Sequence, residues 1–354
     1  MRRRKKDLIF YVLTVVSCMI AMVVVIVAAL LVYDRIKEKA AEKEAMEALA
    51  QEPVFTQNEV DMILTKAVSE AESQAQAKER EVLLSTIQQG LSQGDTVLGT
   101  LRPLYPDKIV VASGGVYHFV PIQENLKKHG RLQENLRVLE TGEMQYVQDG
   151  QVVSHKGIDV SKYQGNIDWD KVAAAGVEYA FIRVGIRGYG AEGNIVADDM
   201  FARNVQGAKQ AGIKVGVYFF TQATTVEEAR EEAAFVLEQI APYEIDYPVV
   251  CDVEKVSAQG ARMNALTPAQ RTDVVIAFLE AIKEAGYTPM LYANMEMLSV
   301  MLEIERLESY DKWYANFGSE MYFPYDYAVW QYSETGTVDG IEGDVDLNIS
   351  FKVW

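Results

Sequence analysis

The residues with the clearest chemical potential are two carboxylates, Asp252 and Glu254, in the stretch Tyr247-Pro-Val-Val-Cys-Asp-Val-Glu-Lys255. An apolar, β-branched run opened by a proline predicts a buried strand over 247–254. Side chains alternate along a strand, so residues two apart share a face. Asp252 and Glu254 therefore point the same way, with Cα atoms about 6.6 Å apart from the strand rise. Cys251 and Val253 point the other way. Neighbouring acids resist joint ionisation, which raises the proton affinity of one of them. That suits a general acid working near neutral pH. Solvated acids at a surface strand end are the bland alternative, and the rest of the chain decides between the two.

These acids need elements to hold them. From Lys156 onward, short apolar strands alternate with amphipathic helices. Strands are predicted at 157–163, 179–187, 214–220, 247–254, 288–295, 311–317, 327–333 and 343–349. Helices fit about 168–176, 198–211, 226–240, 267–285 and 296–308. Such alternation implies parallel pairing with right-handed crossovers. Eight strands suggest a closed barrel. The stretches between the last strands are too short for full helices. The expected fold is α/β: a (β/α) barrel over 156–354 with about eight strands and five helices in an incomplete outer ring.

More acids fall on barrel strands. Asp159 lies in the first, with Ile158 and Val160 facing the opposite side. Asp344 and Asp346 lie in the eighth, within Gly343-Asp-Val-Asp-Leu-Asn348. Parallel barrels build their sites at the C-terminal strand ends, and strands one and eight are neighbours, so these acids can converge. Tyr163, Tyr218, Tyr292, Trp313 and Trp330 sit on the same elements. Sugar rings have apolar faces that stack on aromatic rings. Carboxylates ringed by Tyr and Trp therefore read as a glycan-cleaving cleft with substrate-binding aromatics.

Other chemistries drop out. The only histidines are His118, His129 and His155, so no Ser-His-Asp, Cys-His or histidine-zinc site can form further along the barrel. Cys251 faces away from the acids without a base partner. Gly185-Ile-Arg-Gly-Tyr-Gly190 matches no nucleotide fingerprint. Several carboxylates could hold a hard cation, but these come from separate strands. A bound cation would also favour the ionised form of Glu254 and oppose its use as an acid. Neither a metal nor a cofactor is expected.

The residues also resemble a family. Gly157-Ile-Asp-Val-Ser-Lys-Tyr-Gln-Gly165, Asp252-Val-Glu254, Trp330-Gln-Tyr332 and Val345-Asp-Leu-Asn348 are similar, in that order, to motifs of the glycoside hydrolase family 25 lysozymes, the Chalaropsis-type N-acetylmuramidases. The resemblance covers about 156–354. It implies a β/α barrel with fewer outer helices than strands. It implies cleavage of the β-1,4 bond between N-acetylmuramic acid and N-acetylglucosamine in peptidoglycan. By motif, Glu254 would be the general acid. Asp252 would be its partner, holding the substrate's acetamido group or placing a water. Asp159 and Asp346 would complete the acidic cluster. Tyr218 stands where the family usually has Tyr followed by His or a similar residue, whereas Phe219 follows it here. Retaining, inverting and substrate-assisted routes are all compatible with these motifs. A barrel that only binds glycan is the competing reading; all four acids are present, which favours the enzyme.

The chain has 354 residues and a formal net charge of −17. That balance argues against nucleic acid as a partner. Cys18 and Cys251 are its two cysteines, and their settings make a disulfide implausible. Residues 1–7 carry a basic cluster, Arg2-Arg-Arg-Lys-Lys6, before a nearly continuous apolar run over 8–33. The run exceeds the roughly 20 residues that span a bilayer as a helix. It is also too long for the apolar core of a cleaved signal peptide. An uncleaved single-pass anchor in the cell membrane is expected, with the basic tail cytoplasmic and the barrel on the wall side. Residues 34–54 form a charged linker, helical until Pro53. Residues 55–153 read as a helix from Gln57 to about Leu91, then a small α+β module. Its hairpin signals are Ser113-Gly-Gly115 and Asp149-Gly150. Nothing in this region identifies its role or a protein partner.

Overall fold

The computed structural model describes residues 2–49 and 56–354. They belong to two compact units, Met1–Ser85 and Thr86–Trp354. The first unit contains helix α1 (Arg2–Leu49) and most of helix α2 (Gln57–Ser92). α1 takes in the apolar run and continues through the charged residues that follow. The break expected at Pro53 lies outside the described residues. Leu13–Met46 is long and apolar enough to cross a membrane, a property that leader helices share. Its large apolar side chains, Leu13 to Tyr33, are exposed. The α2 stripe of Val60, Ile63, Leu64 and Val68 is exposed as well.

The second unit opens with α3 (Val97–Leu101) and strands β1 (Lys108–Ser113) and β2 (Val116–Pro121). β3 (Leu136–Val138), β4 (Met144–Gln148) and β5 (Gln151–Val152) follow. Both predicted hairpins form: β1 pairs with β2, and β4 with β5. The second turns at Asp149 and Gly150, whose φ values of 50° and 79° suit an Asp-Gly turn.

The barrel begins with β6 (His155–Val160), α4 (Trp169–Ala174), β7 (Tyr179–Arg187) and a short β8 (Ile195–Ala197). It continues with α5 (Phe201–Gln210), β9 (Lys214–Phe220), α6 (Val226–Ile240), β10 (Val249–Asp252) and α7 (Pro268–Glu284). β11 (Pro289–Asn294), β12 (Asp311–Ala315), β13 (Val329–Gly336) and β14 (Val345–Ser350) complete it. Eight strands close in the order β6-β14-β13-β12-β11-β10-β9-β7, with β6 pairing back to β7; β8 is an extra strand on β7. The eight predicted strands are these eight.

The structure corrects two expectations. β14 runs antiparallel to both its neighbours, β13 and β6. A parallel crossover needs a dozen or more residues, and the link from Gly336 to Val345 is shorter. This reversal puts the beginning of β14 beside the ends of the other strands. The fifth helix, expected over 296–308, is absent as an α-helix. In its place are a single π turn, Met297–Met301, and a 3₁₀ turn, Ile304–Leu307. Buried Arg271 on α7 donates from Nη1 to the Met301 carbonyl at 2.8 Å. The Glu303 N–H donates to Thr272 Oγ1 at 2.9 Å. Side chains of α7 thus satisfy the backbone groups that a continued helix would have paired.

Strand alternation sorts the core into two layers. Outward residues such as Ile182, Val217 and Cys251 pack under the helices. Inward residues fill the barrel with rings: Tyr179, Phe181, Tyr247, Tyr292 and Trp313. Tyr179 stacks on Tyr247 at 4.8 Å, and Phe181 on Trp313 at 4.5 Å. Gly157 makes room for this filling, because a Cβ there would lie 2.1 Å from the Tyr179 ring. Tyr179 is fully buried and cannot swing away. Gly157→Ala should therefore destabilise the protein by about 1–3 kcal/mol through overpacking. Urea unfolding of the purified protein measures this; an unchanged midpoint contradicts the packing described.

Candidate active site

The strand ends position four carboxyls in one place. Asp252 is the last residue of β10, and Glu254 lies just past it. Asp159 is the penultimate residue of β6, directly opposite Asp346, the second residue of β14. All four line a single cavity of about 490 Å³. Tyr218, Tyr292 and Trp313 line it too, so seven of the sequence-selected residues converge.

Two do not. Tyr163 is 78% exposed outside the cavity lining, with the Arg183 guanidinium 5.0 Å over its ring. Trp330 is fully buried on the outward face of β13. Its indole N–H donates to the Asn316 carbonyl at 2.8 Å, so a sugar cannot reach the ring. The reason is strand parity: Gln331, the next residue, is the one that points inward. Phe219, the residue after Tyr218, likewise faces outward and packs on Phe235 and Phe278.

Sequence reasoning missed two amides that organise the acids. Asn348 Nδ2 donates to Asp159 Oδ2 at 2.8 Å, and Gln331 Nε2 donates to the same oxygen at 2.9 Å. Each amide is itself oriented. The Trp313 indole donates to Asn348 Oδ1 at 2.8 Å, and the Tyr292 hydroxyl to Gln331 Oε1 at 2.7 Å. Trp313 is only 1% exposed, so it works here as a donor beneath the cavity. Both amides stood within the motifs Trp330-Gln-Tyr332 and Val345-Asp-Leu-Asn348. For Asn348 the signal was its spacing of two from Asp346, which puts both on one strand face. Phe317, 51% exposed at the cavity wall, is a stacking surface that also went unnoticed.

Burial dominates the electrostatics. It lifts Asp159 to about 6 against the two amide hydrogen bonds, which pull down. Asp346 rises to about 9, through burial and then the neighbouring Asp159 charge. Asp252 is held well above the carboxylate range by burial and then by Glu254. Burial raises Glu254 too, while its hydrogen bond with Asp252 opposes the rise. The site thus contains two carboxyl pairs, each able to keep a proton near neutral pH. Glu254 is the more open member of its pair: it is half-buried, whereas Asp252 is 4% exposed. Lys255 anchors the strand end beside Glu254 by pairing with Glu296 at 2.6 Å.

Buried, proton-holding carboxyls in an open cavity are equipped for acid/base cleavage of an acetal. The family model of glycosyl hydrolases family 25 matches residues 158–341, more than half the chain. The chain belongs to this family. It is an enzyme, a glycosidase of the lysozyme or muramidase type. An autolytic lysozyme of Clostridium acetobutylicum is 28% identical over 194 residues, 54% of this chain and 55% of that protein. Lysozyme M1 of Streptomyces globisporus is 28% identical over 204 residues, 54% of this chain and 66% of that protein. The chain thus spans between about half and two thirds of these relatives. The structure of the modular autolysin LytC from Streptococcus pneumoniae, solved with a synthetic peptidoglycan ligand, aligns with TM-score 0.51 at 21% identity. That match covers 68% of this chain and 57% of LytC, and it speaks to the fold.

The amide pair yields a test. Asn348→Leu removes one donor from Asp159, so the proton affinity of Asp159 should rise and ionisation should need higher pH. The acidic limb of the pH–rate profile should move up by about one unit, the scale of one lost charged hydrogen bond. A limb that stays in place, or moves down, separates Asp159 ionisation from turnover.

Proposed function

We propose that the protein is a membrane-anchored muramidase that hydrolyses the β-1,4 bond between N-acetylmuramic acid and N-acetylglucosamine in peptidoglycan. The observation that carries this reading is the convergence of Asp159, Asp252, Glu254 and Asp346 on one cavity above aromatic rings. The family membership and the lysozyme names of the relatives support the choice of bond.

In this reading the Asp252–Glu254 pair delivers the proton. Glu254 faces the cavity and protonates the glycosidic oxygen as the bond breaks. Asp252 returns a proton to Glu254 or orients the acetamido group or a water. Asp159, kept anionic by Asn348 and Gln331, opposes the positive charge that develops on the sugar ring. Asp346 stays protonated against it and limits the net negative charge in the site. Tyr218 and Phe317 offer ring surface to the sugars, and Trp313 and Tyr292 hold the amides. Retaining, inverting and substrate-assisted completion all fit this arrangement.

Glu254→Gln keeps the shape and removes the proton. Hydrolysis should fall roughly 10²–10⁴-fold with an unchanged melting temperature. Reducing ends released from purified peptidoglycan, identified by mass, provide the readout. N-acetylmuramic acid should be the new reducing end; wild-type turnover in the variant takes Glu254 out of the mechanism.

The anchor places this chemistry. We take α1 as a single membrane span with the basic residues 2–6 inside and the barrel on the wall side. Its apolar stretch and the preceding charges support that orientation. Residues 34–54 would then serve as the linker, with 55–153 leading to the barrel. Protease added to intact, wall-stripped cells should release the barrel. Complete protection reverses the topology and ends the wall-directed reading.

A further inference from the structure

The cavity is not made by the family segment alone. Leu98, Arg102, Val111 and Ala112 also line it, and all four precede the matched residues 158–341. They come from α3, the 3₁₀ turn after it, and β1. Among the described lining residues, Arg102 is the only cation; Asp159, Asp252, Glu254, Glu296, Glu334 and Asp346 line the same cavity.

Arg102 is fixed on one side and open on the other. Its guanidinium lies 4.0 Å over the Tyr322 ring, and Nε donates to the Val110 carbonyl at 3.4 Å. Nη1 meets Glu320 at 3.3 Å, but Glu320 is 62% exposed, so water screens that pairing. Nη2 has only the Met295 sulfur, at 3.5 Å, and a thioether is a weak acceptor. One arm of the fork, on a residue that lines the cavity, thus lacks a strong partner among the described residues.

Met295 connects that arm to the strand end through its chain neighbour Glu296. Met295 precedes Glu296, whose Oε1 accepts from Lys255 Nζ at 2.6 Å and from Ser113 Oγ at 2.6 Å. Lys255 follows Glu254 directly. The Arg102 wall is thus tied to the strand end that carries the acid.

We propose that Arg102 is a specificity-determining residue that binds a carboxylate carried by the muramic acid unit. A guanidinium fork pairs with a carboxylate in two parallel hydrogen bonds. No other described side chain in the lining offers a positive charge. Two sources carry that group: the free lactyl acid of a peptide-stripped strand, and the carboxylates of an attached stem peptide. The inference rests on the muramidase reading above and names what the extra wall adds to it.

The test uses the full-length solubilised protein with Arg102→Gln and Arg102→Lys, the melting temperature of each being recorded. Three glycans are compared: peptidoglycan with stem peptides, amidase-stripped strands with free lactyl carboxylates, and N-acetylglucosamine oligomers bearing neither. Turnover is measured on the first two. Binding of the oligomers is measured in the Glu254→Gln background with and without Arg102→Gln. Arg102→Gln should raise KM on a carboxylate-bearing glycan roughly 10–100-fold, the range for one lost charged hydrogen-bond partner. It should leave kcat and oligomer binding near wild type. Arg102→Lys keeps the charge and loses the fork, so it should fall in between, and it decides the matter if the Gln variant does not fold. A loss confined to the first glycan assigns the peptide carboxylate; a loss confined to the second assigns the lactyl acid. Equal losses on all three glycans, or none on the first two, overturn the proposal. Wild-type protein inert on both peptidoglycan substrates overturns the muramidase reading, and this inference with it.

Discussion

The constraint that organises this molecule is the cost of keeping carboxyls away from water. A buried acid gives up hydration and keeps its proton unless donors compensate. Here one oxygen of Asp159 receives two amide hydrogen bonds, each amide locked by a buried ring. Asp346 across the ladder has no such support and rises to about 9. The two facing acids are thereby set apart, with Asp346 the stronger proton holder. The rings that fill the barrel do more than pack: Trp313 and Tyr292 aim the amides whose hydrogen bonds oppose the rise of Asp159.

The antiparallel course of β14 follows from the same need. An acid early in a parallel strand would sit at the far end of the barrel. Because β14 enters reversed, Asp346 meets Asp159 near the end of β6. The short link from β13 allows no other pairing. A length constraint on the backbone thus becomes a charge relationship in the site.

Much of this was legible in the sequence, and what was not has physical causes. Eight apolar runs gave eight strands, because strands buried on both faces are continuously apolar. Parity along those strands put Asp252 and Glu254 on one side and Cys251 on the other. Parity also condemned Trp330, since its neighbour Gln331 faces in; the Trp drew attention by size, and the Gln carried the function. Asn348 and Gln331 look like ordinary polar residues until partners separated by well over a hundred residues are in place. The helix expected over 296–308 failed because Arg271 and Thr272, on another element, claimed its backbone. Local periodicity cannot report a competitor that arrives from elsewhere in the chain.

The site also sets a direction for stability. Asp159 and Asp346 have folded-state pKa values above the unfolded value of 3.8, so the native state holds more protons than the unfolded chain. Linkage then makes the contribution of these two groups to stability fall as pH rises from about 4 toward about 9, the reverse of a salt-bridged carboxylate such as Asp246. The loss has to be offset where no acid sits. The stacked rings within the barrel and the aliphatic layer beneath its helices supply that offset. A closely packed interior also keeps the amides aimed at one oxygen of Asp159. Packing that serves the fold and geometry that serves the chemistry are therefore the same set of side chains.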